Sequence, residues 1–542
     1  MCLQHQRLTV KLAIQLKGFM MKKILLILAL LLSSSPLYAQ DYYVCDTGDD
    51  TNDGLTINSP FQSYEKAMSI FATISGGDSV LLCRGGQFPI TTAKKTSNQN
   101  CSVSSVCTLG DYGDKQADKP KIIAQDGMSP LSFYGPGNKP ITSGYIIKNI
   151  SLLSTANSGV GVFIYDRVSN LMLDNLHIQG FGIGLQIAAK DVDTVTLKNS
   201  VIINNASQGT LGACSNCLFE GNYFESNGSG TRDHNIYLGS IGGIVENMVV
   251  RGNTLYKSSM KDGKCDGVSL VAHGKFEGLT IENNLVKENA GNVNQTCYGI
   301  SVDPGYAYDE YFKNVVIRGN TLLNLGGNAI GCASCDGALI ENNTIIDEGS
   351  VLVHGISVPV RTEDTVKSKN ITIRNNKILL TKNWNETSGV RVGGFYPMTV
   401  DGNVAYLADY DLAECVRASD ASIDIDTTSN TCNKTVTPDN LAELIDEIGG
   451  LPDVVGPPIV IEPDDPVEPP TSVEPWPYST TKAQITGLAT QLENLMNNAN
   501  NTVANDCGDT AAVLRSIADL LGKNAEVVNE LDIIKQLVKD TD

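Results

Sequence analysis

Four histidines follow residue 40, at positions 177, 234, 273 and 354, in a chain that holds five in all. Three of them have chemically suitable neighbours. His234 follows Arg232 and precedes Tyr237, His273 stands between Asp266 and Tyr298, and His354 precedes Arg361 and Arg391. Imidazole takes up and releases protons near neutral pH, and a phenol can supply or relay one. A guanidinium neutralises a carboxylate through charge-assisted hydrogen bonds. Such a set suits removal of a proton next to a carboxylate, the step run by lyases and epimerases of acidic polysaccharides. His234, His273 or His354 with Tyr237 or Tyr298 would act as base and acid, and Arg361 or Arg391 as the neutralising cation. Cleavage by water needs two carboxylates flanking the bond. Asp266 and Asp303 are available for it, on adjacent repeats but offset along the strand.

These residues can meet only if the chain repeats, and it does. Segments of apolar-polar-Asn/Gly-Asn type (IKNI, LDNL, LKNS, FEGN, VRGN, IENN, IRGN, IENN, IRNN, VDGN) have their third residues at 149, 175, 199, 221, 252, 283, 319, 342, 375 and 402. The mean step is about 28 residues. Between many of them lies a second element of Gly-Ile/Val-x-Val/Leu form, at SGVGV, FGIGL, HNIYL, DGVSL, YGISV, NAIGC, HGISV and SGVRV. Two short strands per period plus a weaker third predict an all-β, right-handed parallel β-helix of about ten to twelve coils. Asn at a strand end would adopt left-handed geometry and bond to the Asn of the next coil. With Ile and Val inward, a leading outward column reads His234, Asp266, Tyr298, Asn328, His354 and Ser388. The next reads Tyr237, Ser269, Ser301, Gly331, Ser357 and Arg391. Asp303 follows in a third column, and His273 with Arg361 in a further one. Arg232, Asp266, Tyr298 and Asp303 would then contact substrate.

The stretch YYVCDTGDDTNDGLTINSPFQSYEKAMSIF followed by GGDSVLLCRGGQF predicts a strand, a turn cluster and a short helix capped by Ser63, covering the open first coil. This entrance resembles that of secreted pectate-lyase-like β-helix proteins, a likeness of architecture that extends over about 41–430. VHGIS at 353–357 resembles part of the polygalacturonase G-H-G-I-S pattern. Val353 replaces its first Gly and that family's other motifs are missing, so no catalytic residue carries over.

Composition and the chain ends set the remaining bounds. A formal charge of −20 argues against nucleic acid as a partner. Residues 1–40 read as a leader with a secretory signal that starts at Met21, because Lys22-Lys23, the apolar run 24–32 and small residues up to Ala39 are too short to span a bilayer. The protein is thus expected to be secreted and not membrane-spanning. The β-helix is assigned to 41–435, a Pro-rich acidic linker to 436–479 and a small α-helical module to 480–542, whose apolar spacing suits self-association. Local cysteine pairs 101/107, 214/217, 332/335 and 415/432, and the longer pairs 45/83 and 265/297, read as disulfides, with Cys507 left over. No metal ligand set stands out. Calcium is the one cofactor left open: Asp49 to Gly54 resembles half of a calcium loop, but it lacks the distal Glu and a turn explains it better. Two functions fit: an enzyme gripping a polysaccharide along the coils, by elimination or epimerisation first and hydrolysis second, or a non-catalytic stalk or glycan-binding surface protein attached through its C-terminal helices.

Overall fold

In a computed structural model, the described residues are 39–452, except 126, 136–140, 190, 307–308, 362–364, 383, 385, 394–397, 419–424 and 426–427. They belong to one compact unit, Tyr38–Val460. The leader and the expected helical module, with Cys507, lie outside the described residues.

Each turn of chain contributes one strand to each of three sheets. The first sheet has 13 strands and runs from Asp41–Val44 to Met398–Asp401; the third also has 13, from Gln87–Ile90 to Thr431–Val436. The second has 14 and runs from Lys95–Thr96 to Glu414–Ala418. The strands of all three sheets pair in parallel, and sequence neighbours fall in different sheets. This is the parallel β-helix that the repeat implies. The period-2 pattern of each strand sends alternate side chains inward. In the second sheet Ile236, Leu270, Ile300, Ile330, Ile356 and Val390 succeed one another in register and are all buried. Helix α1, Tyr64–Phe71, buries Tyr64, Ala67, Met68 and Phe71 against the first coil, and Ser63 Oγ accepts from Lys66 N at its start. Six disulfides join the cysteine pairs named above.

The Asn signature divides its work between two adjacent residues. All ten third positions, Asn149 through Gly402, have positive φ, which Asn and Gly tolerate best. The inter-coil bonding is chiefly done by the next residue, which points inward. Asn222, Asn253, Asn284, Asn320, Asn343, Asn376 and Asn403 form a buried ladder in which each Nδ2 donates to the Oδ1 of the next at 2.8–3.0 Å. The residue just before the left-handed position faces out in the first sheet. Over ten coils it reads Lys148, Asp174, Lys198, Glu220, Arg251, Glu282, Arg318, Glu341, Arg374 and Asp401, each the direct partner of the one before. Cation and anion alternate without exception, with ion pairs of 2.6–3.2 Å at four of the steps.

One expected boundary changes. Residues 441–448, inside the segment read as linker, form helix α2 (Leu441–Ile448). Its Leu444, Ile445 and Ile448 pack on Leu323, Ile346, Leu379 and Tyr406, an apolar stripe on the outer face of the third sheet. Those outward residues would otherwise be exposed, and an amphipathic turn of helix is the cheapest cover for them.

Candidate functional site

The outer face of the second sheet gathers His234, Tyr237, His273, Asp303, Tyr306 and Arg361. Strand His234–Glu246 carries the first two, and strand Leu270–Glu277 carries His273 opposite Gly239. The Tyr237 ring lies 5.4 Å from His234 and 5.4 Å from His273, and His273 meets Tyr306 edge-on at 5.7 Å. The Tyr237 hydroxyl donates to that of Tyr306 at 2.9 Å.

The loop after strand Ile300–Val302 brings Asp303 and Tyr306 into this group. Glu310 anchors it, accepting from Gly274 N at 2.6 Å, Gly305 N at 2.9 Å and Tyr306 N. Two glycines permit the close approach. A Cβ on Gly305 would sit 2.6 Å from the His273 ring, and one on Gly239 would sit 2.7 Å from the Tyr306 hydroxyl.

The protons are placed by the hydrogen bonds. His273 Nδ1 lies 2.5 Å from the Asp303 carbonyl oxygen, and His234 Nδ1 lies 2.9 Å from that of Val268. A carbonyl can only accept, so each ring carries hydrogen on Nδ1, which leaves Nε2 as the atom that can hold a lone pair. Burial pushes His234 down to about 4, so it is neutral at pH 7. Burial and then the bond to Tyr237 drive the Tyr306 phenol far above its ordinary value, which keeps it a proton donor. Arg361 donates to Asp303 Oδ2 and to the Pro304 carbonyl, both at 3.2 Å, and Ser301 Oγ donates to Asp303 Oδ1 at 3.0 Å.

Of the sequence-derived set, His234, Tyr237, His273, Asp303 and Arg361 come together. Tyr298 is adjacent: burial first, then the Asp303 charge, raises its pKa. The others do not join. Asp266 leaves the column, because Leu270 and not Val268 pairs with Ile236 and Ile300. The paired strand begins two residues later than the repeat suggests, since 258–267 form an excursion with the antiparallel pair Met260–Lys261 and Lys264–Cys265 and the Cys265–Cys297 disulfide. Asp266 instead accepts from Asn294 and Thr296 at 3.1 and 2.7 Å, pinning that excursion. His273 and Arg361 are not equivalent in register; Asp303 links them. Arg232 is exposed, and its carbonyl accepts from Gln208 Nε2 at 3.0 Å.

His354 and Arg391 lie farther along. Tyr237, Val271, Ser301, Gly331, Ser357 and Arg391 form one column. Arg391 is therefore five coils from Tyr237, about 24 Å at the spacing of paired strands. His354 Nδ1 lies 2.8 Å from Ser388 Oγ, and burial, then Arg391 and Arg417, push its pKa down to about 4. Tyr306 and Glu310 escaped the sequence reading, because they sit in an irregular loop. The Pro304-Gly305 turn just after Asp303 was the one local sign of it.

The described residues hold two clusters of metal-ligating types, Cys45/Asp46/Cys83 and Cys265/Glu288/Cys297. In both the cysteines are disulfide-bonded and have no thiolate to offer. In the acidic turn, Asp49 accepts from Thr51, Asp50 from Gln62 and Ser63, and Asp53 from Leu55 and Ser59. Those carboxylates brace the loop.

No protein-family model matches the chain. The sequence is similar to the lacto-N-biosidase of Bifidobacterium longum subsp. longum, 25% identical over an alignment of 338 residues that covers 56% of this chain and 19% of that protein. The chain thus spans about a fifth of the length of this curated relative. Among solved structures it is similar to the GH136 lacto-N-biosidase from Eubacterium ramulus at 15% identity and TM-score 0.40, covering 73% of this chain and 68% of that one. It is also similar to the catalytic unit of the GH87 alpha-1,3-glucanase from Streptomyces thermodiastaticus at 13% identity and TM-score 0.43, covering 74% and 68%. The order and register of its own strands make the chain a parallel β-helix, the pectate-lyase-like architecture that its opening residues resemble.

Proposed function

We propose that this is an exported enzyme that acts on an acidic polysaccharide laid along the second sheet, by elimination at the His273–Tyr306 cluster. The observation that carries the reading is the pairing of an imidazole whose Nδ1–H is spent on a carbonyl with a phenol held in its protonated form. His273 Nε2 takes the proton next to the substrate carboxylate. The electron pair forms a ring double bond, the glycosidic oxygen leaves, and Tyr306 donates its proton to it with Tyr237 able to re-supply it. Return of a proton to the same carbon from the other face would give epimerisation. Arg361, oriented by Asp303, is the nearest cation in the cluster for the carboxylate. Export is supported by the six disulfides and by the leader-like residues 21–40.

The name of the curated relative favours a second reading, hydrolysis of a glycosidic bond. Within the cluster, however, Asp303 is engaged by Arg361 and Ser301, and Glu310 by three backbone N–H groups. A carboxylate pair ready for acid and nucleophile is not in evidence there.

The test is incubation with a panel of uronate polysaccharides while ultraviolet absorbance of unsaturated products is followed. Product should form, and His273→Ala and Tyr306→Phe should each slow it by about a hundredfold or more with the fold intact by circular dichroism. Release of reducing ends with no unsaturated chromophore would replace elimination by hydrolysis. Activity untouched by both substitutions would refute the site.

A further inference from the structure

The outward column that passes through Tyr237 ends on two arginines. Arg391 and Arg417 are direct partners on neighbouring strands Ser388–Val392 and Glu414–Ala418. Like charges in that relation repel and destabilise a sheet. The column of the first sheet described above avoids the arrangement through ten coils, and where the second sheet places Glu246 opposite Glu277, Lys313 pairs with Glu277 at 2.9 Å. Arg417 is balanced in part by Glu414 at 3.4 Å and donates to the Leu412 carbonyl at 2.6 Å. The guanidinium of Arg391, a half-buried residue, makes no hydrogen bond or ion pair among the described residues. Its neighbour in the preceding coil is Ser357, which is uncharged. In a chain of net charge −20, a carboxylate opposite Arg391 would have been easy to supply. A local conflict of this kind marks a place where stability has been given up for binding.

We propose that Arg391, with Arg417 beside it, is an anion-binding subsite of the groove, taking a carboxylate or sulfate group of a polysaccharide chain. The proposal rests on the reading of the groove as polysaccharide-binding. It adds that the substrate is acidic along its length and not only at the reacting unit. Between cluster and subsite the column carries only small residues, Ser301, Gly331 and Ser357, with Ser301 and Ser357 sunk below the exposed surface. At about 24 Å from Tyr237 the subsite is reached only by chains several units long. Arg391 thus distinguishes long acidic chains from short ones. The depressed pKa of His354, to which both arginines contribute, reports the same positive potential.

Binding is measured by calorimetry in a His273→Ala background, so that turnover does not interfere, with short and long polygalacturonate oligosaccharides, sulfated dextran and uncharged dextran. Adding Arg391→Gln should weaken a long anionic chain by about tenfold or more, the worth of one charge-assisted contact. Short oligosaccharides and uncharged dextran should be unaffected. Loss confined to polygalacturonate assigns a carboxylate, and loss confined to sulfated dextran assigns a sulfate. The melting temperature of the free protein should stay level or rise, because a repulsion has been removed. Unchanged affinity, failure of every anionic polymer to bind, or a fall of several degrees in the melting temperature would overturn the subsite. Product formation by the unsubstituted protein is followed separately. Loss of binding on Arg391→Gln without any unsaturated product would leave the subsite standing and sink elimination; the converse result would do the reverse.

Discussion

His234 and His273 are fixed in the same tautomer by backbone carbonyls but differ in what surrounds them. His234 is buried, whereas the His273 side chain keeps 16% of its surface, so His273 is the one that substrate can reach. His234 serves better as a neutral wall behind Tyr237. That neutrality has a cost at low pH. His234 and His354 both titrate near 4 when folded, and an unfolded histidine titrates near 6.5. Between those values the unfolded chain binds protons that the folded chain refuses, so stability falls as pH drops from about 6.5 to about 4. A melting curve recorded across that window should shift down by several degrees, and the shift should shrink in a His354→Gln variant. An unchanged slope in that variant would mean that His354 does not titrate as its burial dictates.

At the scale of elements, the Asn ladder holds successive coils in register. Asn320 shows how fully it is used. Its Oδ1 accepts Asn284 N and Nδ2, and its Nδ2 donates to the Ile281 carbonyl and to Asn343 Oδ1. Asn320→Ala strands several buried polar groups at once and should cost about 3 kcal/mol or more by denaturant titration. A cost below about 1 kcal/mol would show that water or neighbouring groups replace the ladder. Much of this element level was legible in the chain, since the ten spaced signatures all take up left-handed geometry where their third residue falls. The inward facing of Ile236, Ile300, Ile330, Ile356 and Val390 was legible too, because period-2 alternation dictates it. Register was lost at 266, where DGVSL imitates the Gly-Ile-x-Val element but precedes the true strand, Leu270–Glu277. A slip of two residues keeps inside and outside unchanged. The neighbouring strands were not affected, so Tyr237 and Ser301 face outward as expected while Asp266 lies outside the column. Tyr306 was not legible, because nothing periodic specifies a loop that must bridge back over His273.

The β-helix as a whole is held by contacts between neighbouring coils, with no single centre, so its ends are its weak points. Three of the six disulfides fall at these ends and three in the coils between. Cys45–Cys83 and Cys101–Cys107 tie the first coils, and Cys415–Cys432 ties the last. Helix α1 closes one end over buried side chains, and α2 braces the last coils from the side. On reduction, hydrogen exchange should accelerate first in 41–112 and 404–436, with the coils from 218 to 346 protected longest. Uniform loss of protection would show instead that the solenoid melts as one cooperative unit.

The alternating charges of the first sheet also bear on how such a chain can lengthen or shorten. Each coil reverses the sign of the one before it, so a lone coil is not an interchangeable part. Excising one between Glu220 and Glu282 would bring carboxylate against carboxylate, even though the Asn ladder would close over the gap. Removing or copying two together restores every opposite pair. The heritable module of this solenoid is therefore a doublet of coils, and gain or loss in even numbers is the course along which the array can change length without disturbing its own surface.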